Sequence, residues 1–465
     1  MLMKKALVVS MVTAVVSTSV VSAVSAAPAA KAAATGKVQQ SSFKINGNTV
    51  SVRSIIKNGE TLVSVRDLIT AFSAQADVRS GTTTIKLNDH TVVLRSNSKQ
   101  IIIDGTASNM SQPMTNIEGS SYVAVRPLIS GLGGTLVRNA GVIEISTIEL
   151  LEGAENPRFA GAGKLIVSKS GENGRTDYLI DTASGQYDLL LTTTGGSDLV
   201  VAPSGDKAAY SSAEGAVYVV DLKSKASKLI TNDNSIKSEF VWSTDGSEIY
   251  FLQGDKGSVI AKLSLSDGVM TKIVEDKVDY KENLSVSPDG KKFIYTVTTL
   301  GTVTSDATNV DEDNVSIDFS SNQTQINAFN IENSTPKASA LTSTTDDKVF
   351  VVSNDGLKAY YVSVPSAEDK ATLMSVDSSS QMVKIFTDHD VEQVVLHQNT
   401  LYVLAALDDT SSVIYAIDTL TGKQTKLYTV SSDVSSIVVN GSQIAIVKND
   451  QVFVSAGDSW KSVTK

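Results

Sequence analysis

Two stretches of the chain carry nearly the same alternation of apolar and polar positions. Residues 62–69 read LVSVRDLI and residues 122–129 read YVAVRPLI. In the first, Val63 and Val65 alternate with small or polar neighbours, the pattern of a half-buried strand. After Arg66 the spacing changes: Leu68, Ile69 and Phe72 recur as on one face of a helix. A short apolar strand and a tight turn precede each copy, Phe43 and Ile45 before Asn46-Gly47, and Ile101 and Ile103 before Asp104-Gly105. In the second copy Pro127 sits just inside the helix start, where its missing N–H costs nothing, and Gly131, Gly133 and Gly134 end the helix. The strands TTTIKL, HTVVLRS and GVIEIS complete the unit. The pattern predicts a tandem-repeat α+β domain over residues 41–148, its short helices covering one face of an antiparallel sheet. Two half-layers, each incomplete alone, close one core.

From residue 149 onward the helical spacing disappears. Turn signals recur at Gly161-Ala-Gly163, Pro203-Ser-Gly205, Asp245-Gly246, Pro288-Asp-Gly290, Asp355-Gly356, Gln398-Asn399 and Asn440-Gly441, most of them about 41–44 residues apart and one interval of about 66. A period near 40 residues with four short strands per unit is the pattern of β-propeller blades. In the clearest unit the strands are Leu199–Ala202, Lys207–Ser211, Val217–Asp221 and Ser227–Ile230. The third strand returns as VYVVDL, VIAKLSL, INAFNI, TLMSVD, VIYAID and VFVSA, and an acidic or polar residue just past it opens a turn. Pro288 presets one corner of its turn and Gly290 takes the left-handed position. The fold class is therefore mainly β: a tandem-repeat α+β domain followed by a β-propeller over 149–465. Seven blades are favoured; six is the alternative, if the degenerate first unit merges with the C-terminus.

The first residues change the setting. Lys4 and Lys5 precede an apolar stretch from Ala6 to Val24, and Val24-Ser25-Ala26 offers small residues for cleavage after Ala26. Residues 1–26 read as a signal peptide and 27–40 as a flexible linker. No basic stop-transfer cluster follows, and no other apolar run approaches the roughly 18 residues a span requires. A secreted or extracytoplasmic protein is expected, free or associated with the cell wall, with no membrane span after cleavage. The 465 residues contain no cysteine, which excludes disulfides and thiolate metal sites. The formal charge is −10; export removes Lys4 and Lys5 and leaves about −12. Such a balance argues against nucleic acid or anionic lipid as the partner.

The segments ING…NGETLVSVRDLITAFSA and IDG…EGSSYVAVRPLISGLGGTL resemble the copper amine oxidase N-terminal-like (stalk) domain over roughly residues 41–148. The resemblance implies an accessory module of exported Gram-positive proteins rather than the oxidase. A type II copper site takes three imidazoles, and this chain has only His90, His389 and His397, with no His-x-His pair. The SPDGKKFIY style of the repeats resembles TolB-like and WD-repeat-like propellers, which implies fold more than activity.

Candidate chemistry is sparse. Arg66 and Arg126 hold matching positions; one reading makes them carboxylate or phosphate clamps, the other ties each guanidinium to carbonyls or an acid at its strand–helix junction, and the second is preferred. The long interval holds LGTVTSDATNVDEDNVSIDFSSNQT, where Asp306, Asp311, Glu312, Asp313 and Asp318 cluster. Asp311 and Asp313 are the calcium candidates, although Val315 breaks the EF-hand spacing and a solvated acidic loop is preferred. His389 and His397 read as surface residues, and Trp242 and Trp460 as packing between blades. Gly-x-Ser-x-Gly, His-Glu-x-x-His and phosphate-loop motifs do not occur.

The sequence thus leads to a non-catalytic exported protein that needs no cofactor. Its propeller loops are expected to recognise a protein, peptide or glycan of the cell envelope. One alternative is a secreted hydrolase or lyase with a carboxylate-based site in the propeller channel, favoured if two buried acids converge there. Another is a calcium-dependent adhesion module.

Overall fold

The computed structural model describes residues 37–305, 315–318 and 323–465, apart from Ala140, Ala162, Asn173 and 366–368; the side chains of Asn139 and of 302–318 are not described. The proposed signal peptide and calcium candidates Asp311 and Asp313 therefore lie outside the described residues.

In the N-terminal domain the doubled phrase pairs with itself. Strand Glu60–Ser64 lies antiparallel to Ser120–Ala124, with Val63 opposite Val123 and Ala124 opposite Leu62. Each strand runs straight into a helix, α1 (Val65–Phe72) and α2 (Val125–Gly131). Ser64 caps α1 by accepting from the Asp67 N–H, and Ser73 ends it at φ 54°. These two strands sit inside a seven-stranded sheet; a second sheet of five strands spans residues 75–109. The expectation of a single antiparallel sheet is corrected on two counts. There are two sheets, and Phe43–Ile45 pairs in parallel with Ile143–Ile145, because the last strand returns to the outer side of the first and closes the domain. One core gathers apolar side chains from both copies, among them Phe43, Val63, Leu68, Val123, Leu128 and Ile145.

Among the described residues the remainder forms seven four-stranded sheets, at 155–193, 200–231, 237–274, 281–340, 347–386, 390–431 and 434–462, here called blades 1 to 7, and a two-stranded sheet of 302–305 and 315–318 inserted in blade 4. Each blade is an antiparallel meander. At most junctions the first strands of successive blades contact one another and therefore lie innermost; blade 2 meets the first strand of blade 3 through its second strand, and the first strand of blade 1 packs on blade 7. Seven apolar clusters result, each shared by two neighbouring blades, and one of them joins blade 7 to blade 1. The second strands show why their sequences are continuous apolar runs. Ile249 and Phe251 face blade 2, whereas Tyr250 and Leu252 face blade 4, so both faces of the strand are buried.

The ring closes without strand exchange. Leu151 bridges Thr464 in parallel, Lys465 N–H donates to the Leu151 carbonyl at 2.8 Å, and Gly153 N–H donates to the Lys465 carbonyl at 3.0 Å. In a four-strand meander the first–second and third–fourth turns share one face of the disc. The N-terminal domain touches that near face; the acidic insertion, between the second and third strands of blade 4, springs from the far face.

Candidate functional site: an interdomain cleft

The Asn46-Gly47 turn positions the two domains. Its φ angles are 48° and 85°, the left-handed pair of a two-residue hairpin. The Asn46 carboxamide accepts from Thr147 N–H at 2.9 Å and donates to Thr147 Oγ1 at 3.1 Å, which pins the turn to the segment leading into the propeller. A Cβ on Gly47 would stand 2.4 Å from the Ala183 carbonyl oxygen of blade 1. Glycine is thus required twice at this point, by the backbone and by the close approach. Ala183 belongs to a third–fourth turn organised by Asp181, whose Oδ1 accepts from Ser184 N–H and Oγ at 2.8 and 2.9 Å. Burial opposes its charge, yet the hydrogen bonds from Ser184 and Lys164 hold the Asp181 carboxyl below the usual range.

Beside this contact opens a cleft of about 1150 Å³ between the domains. The N-terminal domain contributes Lys44, His90, Val137 and Glu144; blade 7 contributes Trp460 and Lys461. Lys461 donates to the Ala183 carbonyl. Burial pushes its ammonium pKa down and Lys44 adds to this, while Glu144 and Asp181 oppose it. Lys44 pairs with Glu144 at 3.6 Å, and Lys465 with Glu149 at 2.9 Å. Trp460 rests its ring 4.9 Å from Tyr428 of blade 6 and borders the cleft with the rest. The cleft therefore offers an aromatic edge, an exposed Val137 and charges mostly held in pairs.

The sequence candidates are not brought together here. Of the three histidines, only His90 reaches the cleft, Nδ1 at 2.8 Å from Asp104 Oδ2. His389 stacks with Tyr415, ring centroids 6.2 Å apart, and His397 Nε2 accepts from Gly441 N–H. Trp242 packs between blades as expected, its indole N–H donating to the Val200 carbonyl of blade 2 at 2.9 Å. The preferred reading of Arg66 and Arg126 is corrected. Both are exposed and neither guanidinium has a partner among the described residues. The junction is tied instead by Arg53, which grips Asp67 at 2.6 and 2.9 Å and reaches Ser64 and Ser120. Its position in the preceding strand, across the sheet, is why the local repeat pointed to the wrong arginine.

On the far face three buried lysines repeat one device. Lys237, Lys281 and Lys348 open the first strands of blades 3, 4 and 5, each with a fully buried side chain. Each ammonium binds an upstream aspartate, Asp233, Asp276 or Asp346, together with loop carbonyls. Lys237 and Lys281 also reach the preceding blade, at Gly215 and Ser258. The only sequence signal was an Asp two to five residues before a Lys, too common to notice. On the inner strands Glu239 of blade 3 accepts from Leu284 N–H of blade 4 at 2.8 Å. Although its surface opens to the channel, the protein around it displaces bulk water; this burial raises its carboxyl pKa, and Glu282 adds to the effect. Among the described residues no group of three or more His, Asp or Glu is arranged to hold a metal ion, and no helix is long and apolar enough to cross a membrane.

Residues 44–145 match the family model of the copper amine oxidase N-terminal domain. The chain is also similar to several solved structures. TolB from Acinetobacter baumannii is similar with a TM-score of 0.39 and 16% identity, over 77% of this chain and 79% of that one. A puromycin-hydrolyzing peptidase of Mycobacterium tuberculosis gives 0.48 and 11%, over 67% of this chain and 53% of that one, so this chain spans about half the peptidase. The β-propeller domain of the Trilobed protease from Pyrococcus furiosus gives 0.47 and 12%, over 67% and 95%. At these scores the likeness carries no functional argument. No curated protein matches the chain.

Proposed function

We propose that this protein is a non-catalytic, exported binding protein of the cell envelope, and that it holds an extended peptide or glycan in the cleft between its two domains. The cleft itself supports this reading. It is of ligand size, it is built by both domains at once, and its walls combine Trp460, Val137 and paired charges rather than a nucleophile beside a base. The site thus moves from the propeller loops expected from sequence to the near face. The test uses Val137, which is 60% exposed on the cleft wall. Soluble N-acetylglucosamine oligomers and short peptides are titrated against the full mature chain, with intrinsic tryptophan fluorescence as readout. Val137→Trp, which fills the wall, is expected to abolish the saturable response and leave the melting temperature in place. Binding that survives the substitution removes the cleft from consideration.

One observation favours a second reading, a hydrolase or lyase in the propeller channel. Glu239 carries a raised carboxyl pKa beside Glu282, the combination a general acid uses. Cleavage of any oligomer at about 1 s⁻¹ or faster, lost in Glu239→Gln, would replace the binding proposal with this one.

A further inference from the structure

A second, smaller cleft of about 570 Å³ lies wholly within the N-terminal domain. Val125, Met110, Leu136 and Ile143 form its apolar walls, and Arg126 and Arg138 border it. Both arginines are exposed, and neither guanidinium meets a carboxylate or a hydrogen-bond acceptor among the described residues. The one acid at the cleft, Glu60, accepts from Ser111 Oγ. The two copies of the repeat differ at this junction. In the first copy Asp67 follows Arg66 and binds Arg53. At the matching place the second copy has Pro127, and Ala124 replaces the capping Ser64. The second junction thus has neither the carboxylate nor the capping hydroxyl, and no acid follows Arg126, in a chain whose overall charge is −10.

We infer that this notch is an anion-binding site in which Arg126 and Arg138 clamp a carboxylate or phosphate group of a chain-like ligand whose apolar part rests on Leu136 and Ile143. Two arginines bordering one apolar recess suit such groups, because each guanidinium can give paired N–H donors to two oxygens. The site is distinct from the interdomain cleft. Leu136, Arg138 and Ile143 share one face of their hairpin, and Val137 and Glu144 the other; only the long Arg138 side chain borders both.

The full mature chain is titrated with fluorescent poly-L-glutamate, polyphosphate and uncharged dextran at low and at physiological salt, and binding is read by anisotropy. At least one polyanion is expected to bind and dextran not to. Arg126→Gln and Arg138→Gln should each weaken binding by roughly tenfold. Arg66→Gln, which removes an equally exposed arginine of the same domain, should leave it unchanged. Poly-L-glutamate alone assigns the site to carboxylates, polyphosphate alone to phosphates, and both to either group. Absence of binding by both polyanions overturns the inference. So does an Arg66→Gln loss equal to the other two, which would mark diffuse charge attraction. Circular dichroism melting of each variant verifies that the fold persists.

Discussion

The two domains use repetition in opposite ways. In the N-terminal domain two copies of one strand–helix phrase pair across a central seam and share their cores, a large one on one face of the sheet and a small one of Ile55, Leu62, Tyr122 and Ala124 apart from it. Neither copy retains a core of its own. In the propeller the repeats never fuse: seven clusters sit between blades, and each strand of the second rank divides its side chains between two neighbours. The comparison teaches that repeat number decides where burial occurs. Two repeats can only face each other, whereas seven can form a ring in which every interface is a core. It also explains why the N-terminal copies have diverged in chemistry, Asp67 against Pro127, while blades 3 to 5 keep one buried lysine each. A ring interface has to be satisfied separately at each blade junction.

The strongest test of that comparison is to damage one core at a time. Phe293→Ala, in the cluster between blades 3 and 4, is expected to cost about 3–5 kcal/mol, and Leu128→Ala, in the shared core of the copies, about 2–5 kcal/mol. Calorimetry should show each lowering a different transition; a common shift of a single transition would mean the two cores are one cooperative unit. Removing a blade lysine comes next. Lys281→Ala strands Asp276 and the Ser258 and Val278 carbonyls and should cost about 3–5 kcal/mol at most, the range for an ion left unpaired in the interior; urea melts of the propeller transition measure it.

The junction between domains gives a smaller, sharper contrast. Gly47→Val and Gly105→Val both force a β-branched residue to positive φ, 85° and 84°, at about 1–2 kcal/mol. Only Gly47 abuts the propeller, while a Cβ on Gly105 meets nothing within 4 Å. Gly47→Val alone should loosen the domains, seen as a larger radius of gyration by small-angle scattering. Equal radii would show that the turn does not set the docking.

Two pH effects are weaker. The ammonium of Lys237 and the hydroxyl of Ser235 lower the Asp233 carboxyl to about 2, below its ordinary value near 3.9. Its folded pKa lies below the unfolded one, so its stabilisation is complete above about pH 4 and is lost as pH falls toward 2. Asp233→Asn should flatten that part of the acid limb in pH-dependent melting. Glu239 has the opposite sign. Its raised pKa means that the charged form subtracts stability at neutral pH and that this penalty fades as pH falls through the ordinary carboxylate range. Glu239→Gln, which retains an acceptor for Leu284 N–H, should stabilise the propeller slightly at pH 7 and not at pH 4. A loss at pH 7 would show that the charge itself holds blades 3 and 4 together.

Much of the fold was written in short-range signals. Lys207–Ser211 and Val217–Asp221 form the strands their alternation predicts, and Gly290 adopts the left-handed φ of 69° that its turn demands. The acids past the third strands act as read: Asp221 and Asp418 each fold their turn by accepting from a Ser or Thr three residues on. The site was far less legible. Arg53 was passed over because its partner Asp67 lies across a sheet. Nothing in the sequence marked the buried lysines, since burial of a Lys depends on a neighbouring blade that supplies carbonyls.

By itself the sequence determined the two architectures and the blade period, because alternation, helical spacing and turn residues act within a few positions of the chain. Only the tertiary structure decided which charges are shared, which arginines stand free and where a cleft opens. Those properties depend on surfaces far apart in the chain being brought into contact: Gly47 against Ala183, Lys461 against the same carbonyl, Arg126 beside Arg138. No local pattern encodes such distances, because they are fixed by how the layers pack.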